Sequence, residues 1–316
     1  MAQTPIVTLT LNPALDASTS VDEVKAGPKL RCGAPRFDPG GGGINVSRVI
    51  ARLGGKSVAC AAVGGASGAH VQALLAAEGI DLHAIQAPGA TRQSLAVTED
   101  RTGRQYRFVM PGEEWTETLV SEALVAIRQA TPKGAFLVVS GSQPPGFPPD
   151  FVLTLADALK GHAAVLLDTS GEALKKIAKT DGANLRLLRM DAEEADELTS
   201  CHLVTNTETA DFAAGLVARE VAQTVIIARG AEGSILTSKQ GRWFCEAAHV
   251  PVKSKIGAGD SFVAGYVLAI VRGKAEDIAL ASGVAAASAA VMTEGTELCR
   301  AEDAAALIAA CPVIRI

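Results

Sequence analysis

The residues able to do chemistry crowd into Lys255-Ile256-Gly257-Ala258-Gly259-Asp260-Ser261. Two glycines around one small residue let the backbone curl, so that the N–H groups of Gly257, Ala258 and Gly259 face one point. Phe262, Val263, Tyr266, Val267 and Ile270 recur at helical spacing, which predicts a helix from Ser261 with a buried face. A glycine turn feeding a helix N-terminus suits an anion, because unpaired N–H groups and the helix dipole both favour negative charge. A carboxylate in such a cradle repels a phosphate, unless Asp260 is there to take a proton from an attacking hydroxyl. Cradle plus base is the minimum for phosphoryl transfer. The plainer alternative is a turn in which Asp260 or Ser261 caps the helix, and the tetrapeptide alone fits it as well.

A second run, Pro39-Gly40-Gly41-Gly42-Gly43-Ile44-Asn45-Val46-Ser47-Arg48, places four glycines directly before a helical pattern. Their entropy cost predicts a site where something approaches the main chain closely, such as a polyhydroxylated ligand. Asn45 then offers a donor and an acceptor to a hydroxyl. Three lookalikes fail. Gly54-Gly55-Lys56-Ser57 resembles the end of a Walker A loop, but position 50 is Ile where a glycine is required. No GxGxxG follows the first strand, and Gly141-Ser142 lack the frame of a nucleophile elbow.

Such residues need a scaffold, and the chain alternates strand with helix. Pro5 to Leu11, Ser57 to Val63, Ala135 to Ser140, Ala163 to Asp168 and Thr224 to Ala228 read as strands, most of them apolar throughout as in a parallel sheet. Helices are predicted over Gly43–Leu53, His70–Glu78, Phe151–Lys160 and Ala210–Val221, and the apolar run Leu280–Met292 has the length of a buried helix. The expectation is an α/β fold: a doubly wound, mostly parallel sheet flanked by helices, with ligands at the C-terminal strand ends. Segments of about 17–38 and 90–111 break the rhythm with strand composition and predict a small β-sheet lid on a single domain spanning 1–316. Its exposed edge would be hidden by dimerisation.

With 316 residues, 48% of them hydrophobic and 20% charged, the chain can bury a core of Ala, Val, Leu and Ile. A net charge of −5 without a basic stripe argues against nucleic acid or membrane as partner. No opening run has the form of a signal peptide, and six cysteines scattered without a CxxC read as reduced thiols, so a cytoplasmic protein is expected. The five histidines show no metal-ligand spacing.

Gly40 to Val46 and Gly257-Ala258-Gly259-Asp260 resemble the two signatures of the ribokinase-like (PfkB) family of carbohydrate kinases, and the likeness runs along essentially the whole chain. Asn12 to Asp16, Lys29 to Cys32, Arg92-Gln93, Tyr106 to Gly112, Ser140 to Gly146 and Gly295 to Cys299 are similar to its phosphosugar kinases, nearest to the minor-type 6-phosphofructokinases. The resemblance implies ATP-dependent phosphorylation of fructose 6-phosphate. The alternatives are a 1-phosphofructokinase, a tagatose-6-phosphate kinase, or a phosphosugar-binding regulatory protein with weak kinase activity.

In that reading Asp260 is the base, and Gly257, Ala258 and Gly259 stabilise the transferring group. Asp16, Gly41, Gly42 and Asn45 hold the sugar, while Lys29 and Arg92, with Ser140, take its phosphate; Arg31 and Arg107 are alternative cations. Ala228, Arg229, Gly230, Gly233 and Ala287 form the nucleotide side. Mg²⁺ is implied as cofactor, riding mainly on ATP with Glu194 and Asp191 as protein ligands, and K⁺ use is open. Two departures stand out. Arg189-Met190-Asp191 replaces the family's usual Lys-Pro-Asn, and the segment before Gly257 is short, with Lys255 able to stand in for a cation's charge. A homodimer through the lid is implied.

Overall fold

A computed structural model describes residues 3–316. The large sheet runs in spatial order β14 (Val313–Arg315), β13 (Gly241–Glu246), β12 (Gly233–Ser238), β11 (Ala222–Ala228), β10 (Leu185–Asp191), β9 (Ala164–Asp168), β8 (Phe136–Ser140), β1 (Ile6–Thr10), β4 (Val58–Val63) and β5 (Asp81–Gln86). From β11 to β5 every pairing is parallel; β12, β13 and β14 add an antiparallel margin. Apart from the edge strand β5, which is mostly exposed, the parallel strands are largely buried on both faces, and side chains alternate between them. Val7, Leu9, Leu137, Val139, Val165 and Leu167 enter one core, whereas Ile6, Val138 and Leu166 enter the other.

The first core is covered by α3 (Glu117–Ala130), α4 (Phe151–Ala158), α5 (Gly171–Ala178), α6 (Ala192–Thr199) and α7 (Asn206–Ala218). The second is covered by α1 (Gly42–Arg52), α8 (Ala258–Val271), α9 (Glu276–Val291) and α10 (Ala301–Leu307). A third cluster joins Val71 and Leu75 of α2 (Gly65–Ala77) to Ile44 and β4. The chain leaves β1 toward β4 and β5, then returns to the other side of β1 as β8. That reversal opens a crevice at the C-terminal strand ends, where such folds bind ligands.

A second, four-stranded sheet has the order β3 (Arg36–Gly40), β2 (Ala14–Val21), β6 (Arg92–Glu99) and β7 (Gln105–Val109). On β7, Phe108 is 53% and Val109 61% exposed, and Met110, just beyond it, is 43% exposed. The β6–β7 hairpin and its turn match the expectation from sequence.

Other boundaries differ. Helix α8 starts at Ala258, three residues ahead of the expected Ser261, because Gly257 takes a left-handed φ of 73° and becomes the N-cap. It is buried from Ser261 to Ala269 rather than along one face, since α1 and α9 pack on it as well as the sheet. Ala14 to Asp16, expected in a loop after the first strand, already lie in β2. Helix α2 begins at Gly65 instead of His70. Strand β10 and the antiparallel margin carry mixed polar and apolar residues, and the sequence alone did not separate them from loops. No helix among the described residues is long and apolar enough to cross a membrane.

Candidate active site

Asp260 lies in the first turn of α8, where the helix N-terminus meets that of α1. Ser261 N–H is bonded to Gly257 O at 2.9 Å, while Ala258 N–H has only a long contact of 3.4 Å to Lys255 O. The N–H groups of Gly257, Gly259 and Asp260 have no backbone acceptor among the described residues and are left to face an anion. The side chain of Asn45, from α1, donates to Asp260 Oδ2 at 2.9 Å. The hydroxyl of Ser140, at the end of β8, donates toward Asp260 Oδ1 at 3.4 Å. Burial pushes the Asp260 carboxyl up to about 6; the Asn45 bond opposes that, and the Asp168 charge adds to it. A carboxylate so tuned is a competent proton acceptor near neutral pH.

Parallel register decides who stands beside Asp260. Ser140 is the pairing partner of Asp168 on β9, and Asp168 that of Arg189 on β10. Arg189 donates to Asp168 Oδ1 at 2.7 Å, and Ser140 Oγ lies 3.3 Å from Asp168 Oδ2. Ser140 thus contacts two carboxylates at the reacting end, rather than the cations expected to take a substrate phosphate. Burial presses Arg189 to lose its charge, but Asp168, Glu194 and Asp260 outweigh it and hold the pKa above the usual arginine value. The guanidinium lies 5.7 Å from the Phe262 ring centroid and against Gly259, and its Nε is buried with no hydrogen-bond partner among the described residues. Asp168 stood at a strand end that the fold singles out; its link to Arg189 needed the register.

The glycine run is also crowded by the protein's own residues. A Cβ on Gly40 would collide with the Asp16 carboxylate, and one on Gly42 with Ser140. The close approach comes from the protein itself, because the run threads between β2 and the β8 end. Asp16, on β2, is pushed above the usual carboxylate range by burial, against a Ser94 hydrogen bond and the charges of Arg92 and Arg107. Arg92 donates to Asn12 O at 3.2 and 3.1 Å and reaches Met110 O at 3.5 Å. Asp16, Asn45, Gly41, Gly42 and Arg92 therefore gather around the crevice. Lys29 and Arg31 lie on the exposed segment between β2 and β3, with no ion pair among the described residues.

A cavity of about 740 Å³ opens on the far side of Arg189. Ala228, Gly230, Gly233 and Ala287 line it, with Asp191, Lys255, Ala258, Gly259 and Phe262 at one end. Arg229 is not among the lining residues. Its guanidinium donates to Glu232 Oε2 (2.7 Å), Thr209 Oγ1 (2.7 Å) and the carbonyls of Leu203 and Val204 (3.0 and 2.7 Å), which ties β11 to the start of α7.

Asp191 and Glu194, expected as metal ligands, form a reciprocal capping box at the N-terminus of α6. Asp191 Oδ1 accepts from Glu194 N–H at 2.9 Å, and Glu194 Oε2 from Asp191 N–H at 2.8 Å. Asp-x-x-Glu before a helix was a readable capping signal. Burial, which outweighs the Asp191 backbone bond, pushes Glu194 up to about 7. No group of three His, Cys, Asp or Glu among the described residues could hold a metal ion by itself.

A sequence profile described as pfkB family carbohydrate kinase matches residues 5–304. ATP-dependent 6-phosphofructokinase isozyme 2 of Mycobacterium tuberculosis is 38% identical, over 94% of this chain and 87% of that relative. The crystal structure of Escherichia coli phosphofructokinase-2 with fructose-6-phosphate superposes with a TM-score of 0.89 at 34% identity, covering 97% of this chain and 98% of that one. Its complex with potassium gives 0.91 at 35% identity, with the same coverage.

Proposed function

The chain belongs to the pfkB family of carbohydrate kinases, and on that premise we propose that it transfers the γ-phosphate of ATP to fructose 6-phosphate, giving fructose 1,6-bisphosphate. The observation that carries this reading is Asp260, held by Asn45 and Ser140 at the junction of two helix N-termini and tuned to about 6. In the reaction the sugar hydroxyl attacks the γ-phosphorus in line, its proton passes to Asp260, and ADP leaves. The free N–H groups of the first turn of α8 and the guanidinium of Arg189 stabilise charge on the transferring group. Arg189 stands between Asp260 and the large cavity, and its unpartnered Nε suits an anionic group. Asp16 and Asn45 hold sugar hydroxyls, with Gly41 and Gly42 giving main-chain access. Arg92, with Lys29 reaching in from its exposed segment, takes the existing phosphate, as a dianion requires.

Ala228, Gly230, Gly233 and Ala287 form the nucleotide floor. Mg²⁺ fits this donor set as an ion carried mainly by the nucleotide phosphates, with the hard oxygens of Asp191 on the cavity wall and of Glu194, its capping-box partner, as protein ligands. It would neutralise phosphate charge. Lys255, at the cavity's end, supplies positive charge where a monovalent cation would otherwise serve, so turnover is expected to be alike with and without K⁺.

The small sheet acts as a lid on a single domain, and its exposed Phe37, Phe108, Val109 and Met110 are covered by a second copy in a homodimer. The deciding experiment is an ADP-release assay with MgATP, comparing fructose 6-phosphate, fructose 1-phosphate, tagatose 6-phosphate and fructose. Highest kcat/KM on fructose 6-phosphate is expected. Preference for another phosphosugar would keep the mechanism and change the substrate; binding without turnover on any would make the protein a phosphosugar sensor.

A further inference from the structure

Arg48 lies one helical turn after Asn45 on α1, with its side chain 3% exposed. Its guanidinium joins two other elements to that turn. It donates to both carboxylate oxygens of Glu78, just past α2, at 2.8 and 2.6 Å. Asp38 of β3 lies 3.6 Å away and is itself held by the Thr296 hydroxyl at 3.0 Å, from the loop after α9. The remaining nitrogen, NH1, donates to Pro39 O of β3 at 3.3 Å and to Asn45 Oδ1 at 3.4 Å.

The last bond is the informative one. Glu78 and Asp38 already satisfy the buried charge, so scaffold needs alone do not call for it. A carboxamide has one accepting end and one donating end. With the accepting end engaged by Arg48, the amino group of Asn45 is left facing Asp260 Oδ2 at 2.9 Å. Because one nitrogen serves both Pro39 and Asn45, its geometry depends on how β3 sits against α1.

We propose that Arg48 is a positioning residue that holds the carboxamide of Asn45, and through it the carboxylate of Asp260, in step with the seating of the lid strand β3. The inference rests on the reading of Asp260 as the base of a phosphosugar kinase. A lysine can keep an ion pair with Glu78, but its single ammonium lacks the planar fork that reaches Pro39 and Asn45 as well. A purely structural role would therefore be rescued by lysine, and a positioning role would not.

The test uses the full chain and its variants Arg48→Lys, Asn45→Ala, the double variant and Thr296→Val. It reads kcat and KM together with the titration of the Asp260 carboxyl carbon by NMR. Arg48→Lys is expected to lower kcat by about tenfold, with KM for the phosphosugar within about threefold of wild type. The double variant should be no slower than Asn45→Ala alone, because both changes break one chain of contacts. The Asp260 carboxyl should titrate at higher pH in Arg48→Lys, since Ser140, Asp168 and Arg189, which face it from the other strands, are untouched. Thr296→Val, which frees Asp38, should move both readouts in the same sense by a smaller amount, and serves alone if Arg48→Lys does not fold. Wild-type kcat with an unmoved Asp260 titration in Arg48→Lys would overturn the proposal, as would losses that multiply in the double variant. An unmoved Thr296→Val would remove the link to β3. If the wild type turns over no phosphosugar, the functional reading fails, and the titration still decides the role of Arg48.

Discussion

At the scale of single residues, Asp260 links catalysis to stability with opposite signs. A folded-state pKa raised from 3.8 to about 6 means that the protonated form is favoured in the folded protein. That contribution is present below about pH 4 and lost as pH rises through 6, so the charged base costs about 3 kcal/mol at neutral pH. Asp260→Asn is expected to cut kcat by about 10²–10⁴-fold. The same variant should be more stable than wild type by up to about 3 kcal/mol at pH 8, with the gain vanishing near pH 4, as denaturant titrations at the two pH values would read. The wild-type kcat/KM should fall on the acid side with a midpoint near pH 6 in the free enzyme. The Gly-Ala-Gly-Asp tetrapeptide was legible because base and cradle are adjacent in sequence. The link between Asp168 and Arg189 was not, since only pairing between β9 and β10 makes them neighbours.

At the scale of elements, the glycine run and the α6 cap answer to packing. On Gly42 a Cβ would run into Ser140 and the backbone of Gly141, so Gly42→Ala is expected to destabilise by about 1–3 kcal/mol and to pull Ser140 off Asp260. Chemical denaturation beside kcat measures both effects. Asp191→Ala should cost about 1 kcal/mol through loss of the cap. Asp191→Asn keeps a good N-cap while removing a carboxylate from the cavity wall. Unchanged stability with a several-fold higher KM for MgATP is expected, because a protein ligand of the nucleotide-borne Mg²⁺ is lost; a lower KM would mean that the carboxylate chiefly repels the nucleotide and does not hold the metal. Glycine spacing announced that something comes close to residues 40–43. It could not say that the visitor is the chain's own Asp16 and Ser140, because steric partners across β2 and β8 lie far away in sequence.

At the scale of the whole molecule, the small sheet leaves Phe108, Val109 and Met110 exposed on and just beyond β7. Light scattering is expected to show a dimer, and Phe108→Glu to shift it toward monomer with a raised KM for the phosphosugar as the lid loses its support. A clean wild-type monomer would refute the lid interface. Turnover in KCl matched by turnover in a large organic cation would support Lys255 as the local positive charge.

By itself the sequence determined the alternation of apolar strands and helices, the β6–β7 hairpin, and the two glycine-rich turns that bracket the chemistry. Each is a local signal, set by periodicity, backbone freedom or adjacent residues. The tertiary structure alone decided that Asn45, Ser140, Asp168 and Arg189 meet at Asp260, and that Arg229 is tied into the scaffold. Those outcomes depend on strand register and on which helix N-termini converge. Parallel pairing joins Ser140, Asp168 and Arg189, and the packing of α1 against α8 joins residues 215 positions apart in the bond from Asn45 to Asp260.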